Sequence, residues 1–442
     1  MAYIPGTTGS DTLFGTADSD LIDGFEGNDV IYGYRTDGLT TELDLSADRL
    51  FGQAGDDVFI GGYGADYIDG GADIDMASYI DSGTGVIVDL AAGRGYSGTA
   101  QLTSIESVYG SRFDDVLFGS DEGNVLDGAG GNDILLGFDG SDALYGGGGD
   151  DEMHGGRGHD TYYVDSTRDI VSEDRDYRDA ADGIDTVYST ISFNLSTSTT
   201  VIGEVENLTL GGSANINGVG NWTSNFMVGN SGSNVLNGGA GADWLSGVAG
   251  RDNYVVDNTG DTVDESMAGS NGIDIVSSYI SFNLSNAKAV HGAVEDLLLL
   301  GSGGLNATGN GLANQITGNA GSNVIDGLVG NDRLTGGGGN DFFLYDTVPN
   351  SSTNFDLVLD FNVAMDTIRL ENAIFTRLAV GMLAATAFYV GPAAQDADDR
   401  VVYNSATGAL LYDADGTGAA AAVRFAILDP GLHLTRADFA IV

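Results

Sequence analysis

The sequence has no cysteine, only 4 prolines, and a single lysine, Lys288, among its 442 residues. Without cysteine, neither disulfides nor thiolate metal sites hold this fold. Sixteen basic residues against 65 acidic ones leave a formal charge of -49. Such a surface repels nucleic acid and anionic membranes, so neither is expected as a partner. No apolar run approaches the roughly 20 residues needed to cross a bilayer, which argues against membrane insertion. The N-terminus, MAYIPGTTGS, lacks the basic and apolar segments of an export leader. Helical periodicity with caps is also scarce, and VGMLAATAF (380–388) is the best short candidate.

What the chain has in abundance is glycine, 70 residues of it. Glycine costs conformational entropy on folding, so a placement rule is expected to repay it. Glycines at 110, 119, 128, 137, 146 and 155 keep a period of nine. Five residues into each unit stand Asp115, Asn124, Asp133, Asp142, Asp151 and Asp160, and two further on Leu117, Leu126, Leu135, Leu144, Met153 and Tyr162. The frame is G-x-x-G-x-D-x-U-x with U apolar. It also places Asp11, Asp20 and Asp29 in units starting at Gly6, Gly15 and Gly24. After a ten-residue insertion, GYRTDGLTTE, it resumes with Asp48, Asp57, Asp66 and Asp75.

These arrays divide the chain. Residues 1–75 form an N-terminal array with the insertion, 76–109 an irregular block in which VIVDL reads as a strand, and 110–163 a central array. A block of about ninety residues then occurs twice. DTYYVDSTRDIV, ISFNLS and VENLTL return as DNYVVDNTGDTV, ISFNLS and VEDLLL, and each copy (164–255 and 256–340) ends in nonapeptides. From 341 to 442 glycine thins out and β-branched and aromatic runs take over, which reads as a separate β-rich cap.

The expected fold is all-β: right-handed parallel β-roll arrays with interspersed β-rich blocks. D-x-U has strand character, G-x-x-G-x-D turns the chain, and two units make one coil. Units n and n+2 therefore stack, and their aspartates come within one strand spacing, about 4.8 Å. Like charges that close in a partly desolvated turn are costly unless a cation lies between them. Ca²⁺ suits six to eight oxygens in flexible geometry, whereas Mg²⁺ demands a tight octahedron and zinc prefers nitrogen or sulfur. The expected cofactor is therefore Ca²⁺ in several copies. The strongest pairs are Asp11 with Asp29, Asp48 with Asp66, Asp57 with Asp75, Asp115 with Asp133, Asp133 with Asp151, and Asp142 with Asp160. Asp20, Asp243, Asp252, Asp332 and Asp341 are further ligand candidates. Asn225, Asn234, Asn314 and Asn323 keep an oxygen without the charge, so sites there are weaker or absent, and a stacked Asn ladder capping the roll fits equally well.

GGGGDDEMH, GGRGHDTYY, GGYGADYID and GGAGADWLS resemble the repeats-in-toxin (RTX) calcium-binding nonapeptide, a parallel β-helix. FDLVLDFNVAMDTIRL, DDRVVYNSATGALLYDADGTGAA and LTRADFAIV are similar to the C-terminal region of secreted serralysin-type RTX proteins. That second resemblance implies export through a type I channel, read from a C-terminal signal here matched by Asp438, Phe439, Ala440, Ile441 and Val442.

Catalytic motifs are missing. The repeats begin at Gly6, so a catalytic domain of the kind many RTX proteins carry is not expected ahead of them. H-E-x-x-H and G-x-S-x-G are absent, and His154 and His159 sit five apart on glycine turns, as exposed turn residues would. Asp413 and Asp415 read as a hairpin turn rather than an EF-hand, while Tyr162, Trp244 and Tyr254 read as core. The leading expectation is a non-enzymatic, secreted, calcium-folded surface-layer, matrix or adhesive component whose partners are other copies of itself or a surface polysaccharide. The rival is a secreted enzyme acting on acidic polysaccharide, and a third reading is an RTX effector.

Overall fold

The computed structural model describes residues 1–34, 46–61, 64–95, 100–173, 183–267 and 269–442. Most of the ten-residue insertion, from residue 35 on, lies outside them. The chain divides into two compact units, Met1–Gly212 with Ile216–Phe226, and Ser213–Asn215 with Met227–Val442.

In the first unit the D-x-U triplets form two stacks of short parallel strands. One stack sets Leu13 beside Ile31, Ile31 beside Phe59 and Phe59 beside Ala77. It continues through Val108, Leu126, Leu144, Tyr162, Val187 and Leu208. The other runs Ile4, Ile22, Leu50, Ile68 and Leu102, then Val88, Leu117, Leu135, Met153, Val171 and Val201. Alternate residues of a strand face opposite sides, so a three-residue strand buries one apolar side chain. From Ile31 to Leu208 the first stack is sealed from solvent. Each such side chain contributes about 1.5–3 kcal/mol, and the array gains it once per unit.

The block at 76–109 interrupts the turns but not the stack. Met76–Ser78 pairs in parallel with Ser107–Tyr109, which pairs with Val125–Asp127. Ile87–Asp89, the strand expected from VIVDL, joins Arg94–Gly95 and Ala100–Thr103 in an antiparallel excursion, and its outer strands rejoin the parallel ladder.

The second unit repeats the scheme. Leu236, Tyr254, Val276, Leu297, Ile316, Leu334 and Val358 form one apolar stack. Ala307, Ile325, Phe343, Ile368 and Phe439 form another. Residues 341–442 therefore extend the roll: Phe342–Tyr345, Thr367–Leu370 and the terminal strand Phe439–Ile441 are successive parallel strands. An antiparallel meander, Val401–Asn404, Ala409–Tyr412 and Val423–Ile427, is added beside Asp356–Val358. Asp413 and Asp415 lie in its last hairpin loop.

The helix expected at 380–388 does not form. Gly381, at φ +116°, and Met382 pair antiparallel with the terminal strand, leaving one 3-10 turn, Ala385–Ala387, before the strand Phe388–Val390. Edge pairing satisfies backbone groups that three helical residues could not. Among the described residues no helix is long and apolar enough to cross a membrane.

Candidate metal centre

Stacking the strands stacks the aspartates that precede them. Along the stacks, the backbone N–H at one aspartate position donates to Oδ1 of the aspartate one coil on. The bonds run from Asp11 to Asp29 (2.7 Å), Asp29 to Asp57 (2.7 Å) and Asp57 to Asp75 (2.9 Å). In the other stack they link Asp20, Asp48 and Asp66, and further on Asp115, Asp133 and Asp151. Asp142 receives the Asn124 N–H, and Asp160 that of Asp142. In the second unit Asp252 and Asp332 receive the amides of Asn234 and Asn314, and Asp341 that of Asn323. Asp243 in turn donates to Asp261. The structure thus joins all six of the expected pairs.

The ladder reaches further than the nonapeptide frame. Asp151 continues to Asp169, Asp160 to Asp185, Asp252 to Asp274, Asp332 to Asp356 and Asp341 to Asp366. Three runs end in a glutamate: Glu106 after Asp75, Glu206 after Asp185 and Glu295 after Asp274. An asparagine restarts each run. The Nδ2 groups of Asn124, Asn225 and Asn314 donate to the backbone carbonyls of Glu106, Glu206 and Glu295. A carboxylate there would set its oxygen against a carbonyl, which is why an amide occupies the place.

What the second carboxylate oxygen does depends on the residue after the first glycine of the unit. Where it is Thr, Ser or Asn, its N–H donates to a side-chain oxygen of the Asp or Asn four residues on. The pairs are Thr7–Asp11 (2.5 Å), Thr16–Asp20 (2.7 Å), Ser111–Asp115 (2.6 Å), Ser120–Asn124, Asn221–Asn225, Asn230–Asn234, Asn310–Asn314 and Asn319–Asn323. These turns are closed. Elsewhere the residue has positive φ: Phe25 (74°), Gln53 (82°), Gly71 (114°), Ala129 (66°), Phe138 (83°), Gly147 (84°) and Leu328 (64°). In those same units the Oδ2 atoms of Asp29, Asp57, Asp75, Asp133, Asp142, Asp151 and Asp332 are buried without a hydrogen-bond partner. These turns are open.

Open turns carry two costs. A bulky residue at positive φ is strained by on the order of 1–3 kcal/mol, and a buried carboxylate oxygen with no partner loses its hydration. Burial pushes Asp75, Asp133 and Asp142 up to about 7 despite the amide each accepts, with Asp57, Asp151 and Asp160 among the neighbouring charges that add to the rise. Asp57, Asp151 and Asp332 rise to about 6, also through burial.

A calcium ion fits this donor set. At Gly137 a methyl group would stand 2.1 Å from Asp142 Oδ2 and 2.8 Å from the Gly155 carbonyl oxygen, so the missing side chain leaves room where two hard oxygens converge. Asp29, Asp57, Asp75, Asp133, Asp142, Asp151 and Asp332 would hold such ions with turn carbonyls, and the cation would offset the carboxylate charge and give each Oδ2 a partner. Asp11, Asp20 and Asp115 belong to closed turns, so the pairs Asp11–Asp29 and Asp115–Asp133 each have one closed member. The turns before Asp48 and Asp66 lie partly outside the described residues. Replacing Gly137 by Ala should weaken calcium binding several-fold at that turn and lower stability by about 1–3 kcal/mol, as overpacking does. Urea unfolding in saturating calcium checks the second figure.

Other candidates fall outside the ladder. His154 Nε2 meets Glu152 (2.9 Å), while His159 Nδ1 accepts the Ile184 N–H (2.7 Å), so the two histidines have separate partners. Tyr162 and Tyr254 are fully buried, as expected. Trp244, expected in the core, is only half-buried and packs edge-on against His291. Asp150, beside the ladder residue Asp151, is exposed and ion-paired with Arg168 (3.1 Å).

Fold and site together define a parallel β-roll built to hold cations in its turns. Six segments, residues 5–37, 44–77, 104–135, 136–171, 219–254 and 308–343, match the family described as RTX calcium-binding nonapeptide repeat (4 copies). The chain carries RTX calcium-binding nonapeptide repeats in several copies along its length. No curated protein matches it.

Proposed function

We propose that this protein is exported unfolded and folds on external calcium into a structural element of a surface layer, matrix or adhesive coat, with no catalytic role. The observation that carries the reading is the row of open turns, whose buried Oδ2 atoms need a cation that cytosol does not supply at millimolar levels. The C-terminal residues support the export step. Phe439 and Ile441 are buried in a parallel strand, and Asp438 caps the turn before it through Thr435. A signal read from these residues is accessible only before the chain folds, as type I export of a serralysin-like C-terminus requires.

The outer face of the first unit supports assembly. Tyr145 and Tyr163 stack at 3.8 Å and Tyr163 lies 5.5 Å from Tyr188, a half-exposed row of rings suited to another copy or to a polysaccharide. Calcium added to protein purified in EGTA is expected to raise light scattering as well as circular dichroism. Folding without growth in particle size would overturn the assembly role, and turnover of an alginate-like polymer would overturn the non-catalytic one.

A further inference from the structure

The two copies of the internal repeat each place three carboxylates where the nonapeptide frame calls for two. Oxygens of Asp160, Glu173 and Asp185 lie within 4.8 Å of one another, and those of Asp252, Glu265 and Asp274 do the same. All six residues are buried, and Glu173 is only 7% exposed. Glu173 Oε1 accepts the Tyr162 hydroxyl proton at 2.5 Å, and the Tyr162 oxygen in turn accepts the Gly155 N–H at 2.8 Å. Glu173 Oε2 has no hydrogen-bond partner. The second copy repeats the clamp, with Tyr254 donating to Glu265 and accepting from Gly247.

The frame explains why a glutamate is here. Counting on nine from Gly155 gives Val164 and then Glu173, so the glutamate stands where a unit would begin with glycine; Gly247, Val256 and Glu265 repeat the series. The room beside Gly155 is also taken: a methyl group there would stand 2.2 Å from the Tyr162 oxygen and 2.3 Å from Asp160 Oδ2. The Tyr162 hydroxyl thus occupies the space beside this glycine, and the carboxylates gather next to it.

We propose that Asp160, Glu173 and Asp185, and likewise Asp252, Glu265 and Asp274, form a second kind of Ca²⁺ site, made of three carboxylates and clamped by a tyrosine. Its task is to lock each β block onto the array before it. Asp160 belongs to the last nonapeptide, whereas Glu173 and Asp185 belong to the two strand-bearing segments that follow. Three carboxylates give this site more charge than a two-aspartate turn, and ligand charge raises calcium affinity. Mg²⁺, which keeps its waters and an octahedron, is the poorer fit.

The test counts ions on the full chain, with Ca²⁺ as the probe. Glu173→Gln and Glu265→Gln keep shape and remove charge. By native mass spectrometry of protein loaded at pH 7.5, each variant is expected to hold one ion fewer, and the double variant two fewer, with unchanged circular dichroism in saturating calcium. An unchanged count in the double variant overturns the proposal and leaves the turn sites standing. A wild-type chain that holds no calcium overturns both. Should a Gln variant fail to fold, Tb³⁺ supplies the readout: its tyrosine-excited luminescence should fall in Tyr162→Phe and Tyr254→Phe, whose carboxylates are intact. No fall in that emission would equally overturn the proposal.

Discussion

Stripping calcium with excess EGTA at pH 7.5 is expected to remove most of the far-UV circular dichroism of the β-roll, and returning millimolar calcium to restore it. The size of the effect follows from linkage. An ion that binds only the folded state stabilises it by about 2.7 kcal/mol when free calcium is about a hundredfold above Kd. A folded domain is held by only about 5–15 kcal/mol in total. Several open turns acting together therefore match the whole margin. Removing the ion also exposes stacked carboxylates such as Asp133, flanked by Asp115 and Asp151, to unscreened repulsion. The chain has no disulfide to resist the loss. Transitions should be steep in calcium, because each coil pairs only with its neighbours and stability propagates along the roll. Retention of the full signal in EGTA at pH 7.5 would sink the view that calcium holds the fold.

The nonapeptide frame is legible because turn, ligand and core residue repeat together. It carries the roll, the apolar stacks and the aspartate pairs. The ladder beyond the glycine turns is legible only in part. Asp169, Asp261, Asp356 and Asp366 each precede an apolar residue by two, as in RDIV and FDLV, without glycine at either place of the frame, whereas Asp185 keeps Gly183 and Asp274 keeps both Gly269 and Gly272. Glu106, Glu206 and Glu295 hold the same place before Val108, Leu208 and Leu297. A search for D-x-U or E-x-U without glycine would have found them. Closed and open turns differ by one residue, Thr7 against Phe25 for example, and the difference is conformational: an N–H turned toward the carboxylate, or a positive φ that turns it away. The Tyr162–Glu173 clamp could not be read from spacing, since it links two walls of the roll across eleven residues.

Lowering the pH should have opposite effects with and without calcium. In the calcium-free protein, Asp75, Asp133 and Asp142 are pushed by burial to about 7, and Asp57, Asp151 and Asp341 to about 6, against about 3.9 in an unfolded chain. A folded state with the higher pKa binds more protons, so acidification favours it. The stabilisation is full below about 3.9 and is lost as pH rises through 6 to 7. Calcium-free chain that is unfolded at pH 7.5 should therefore regain β-structure by about pH 5.5. Calcium competes with protons for the same oxygens, so its apparent affinity should fall over the same interval. The paired substitutions Asp133→Asn and Asp142→Asn imitate the protonated state: they should raise calcium-free order at pH 7.5 while blunting the response to added calcium. Circular dichroism at pH 7.5, 6.5 and 5.5, with EGTA and with calcium, measures both arms. A calcium-free signal that stays flat or declines on acidification would show that these carboxylates are not what opposes folding.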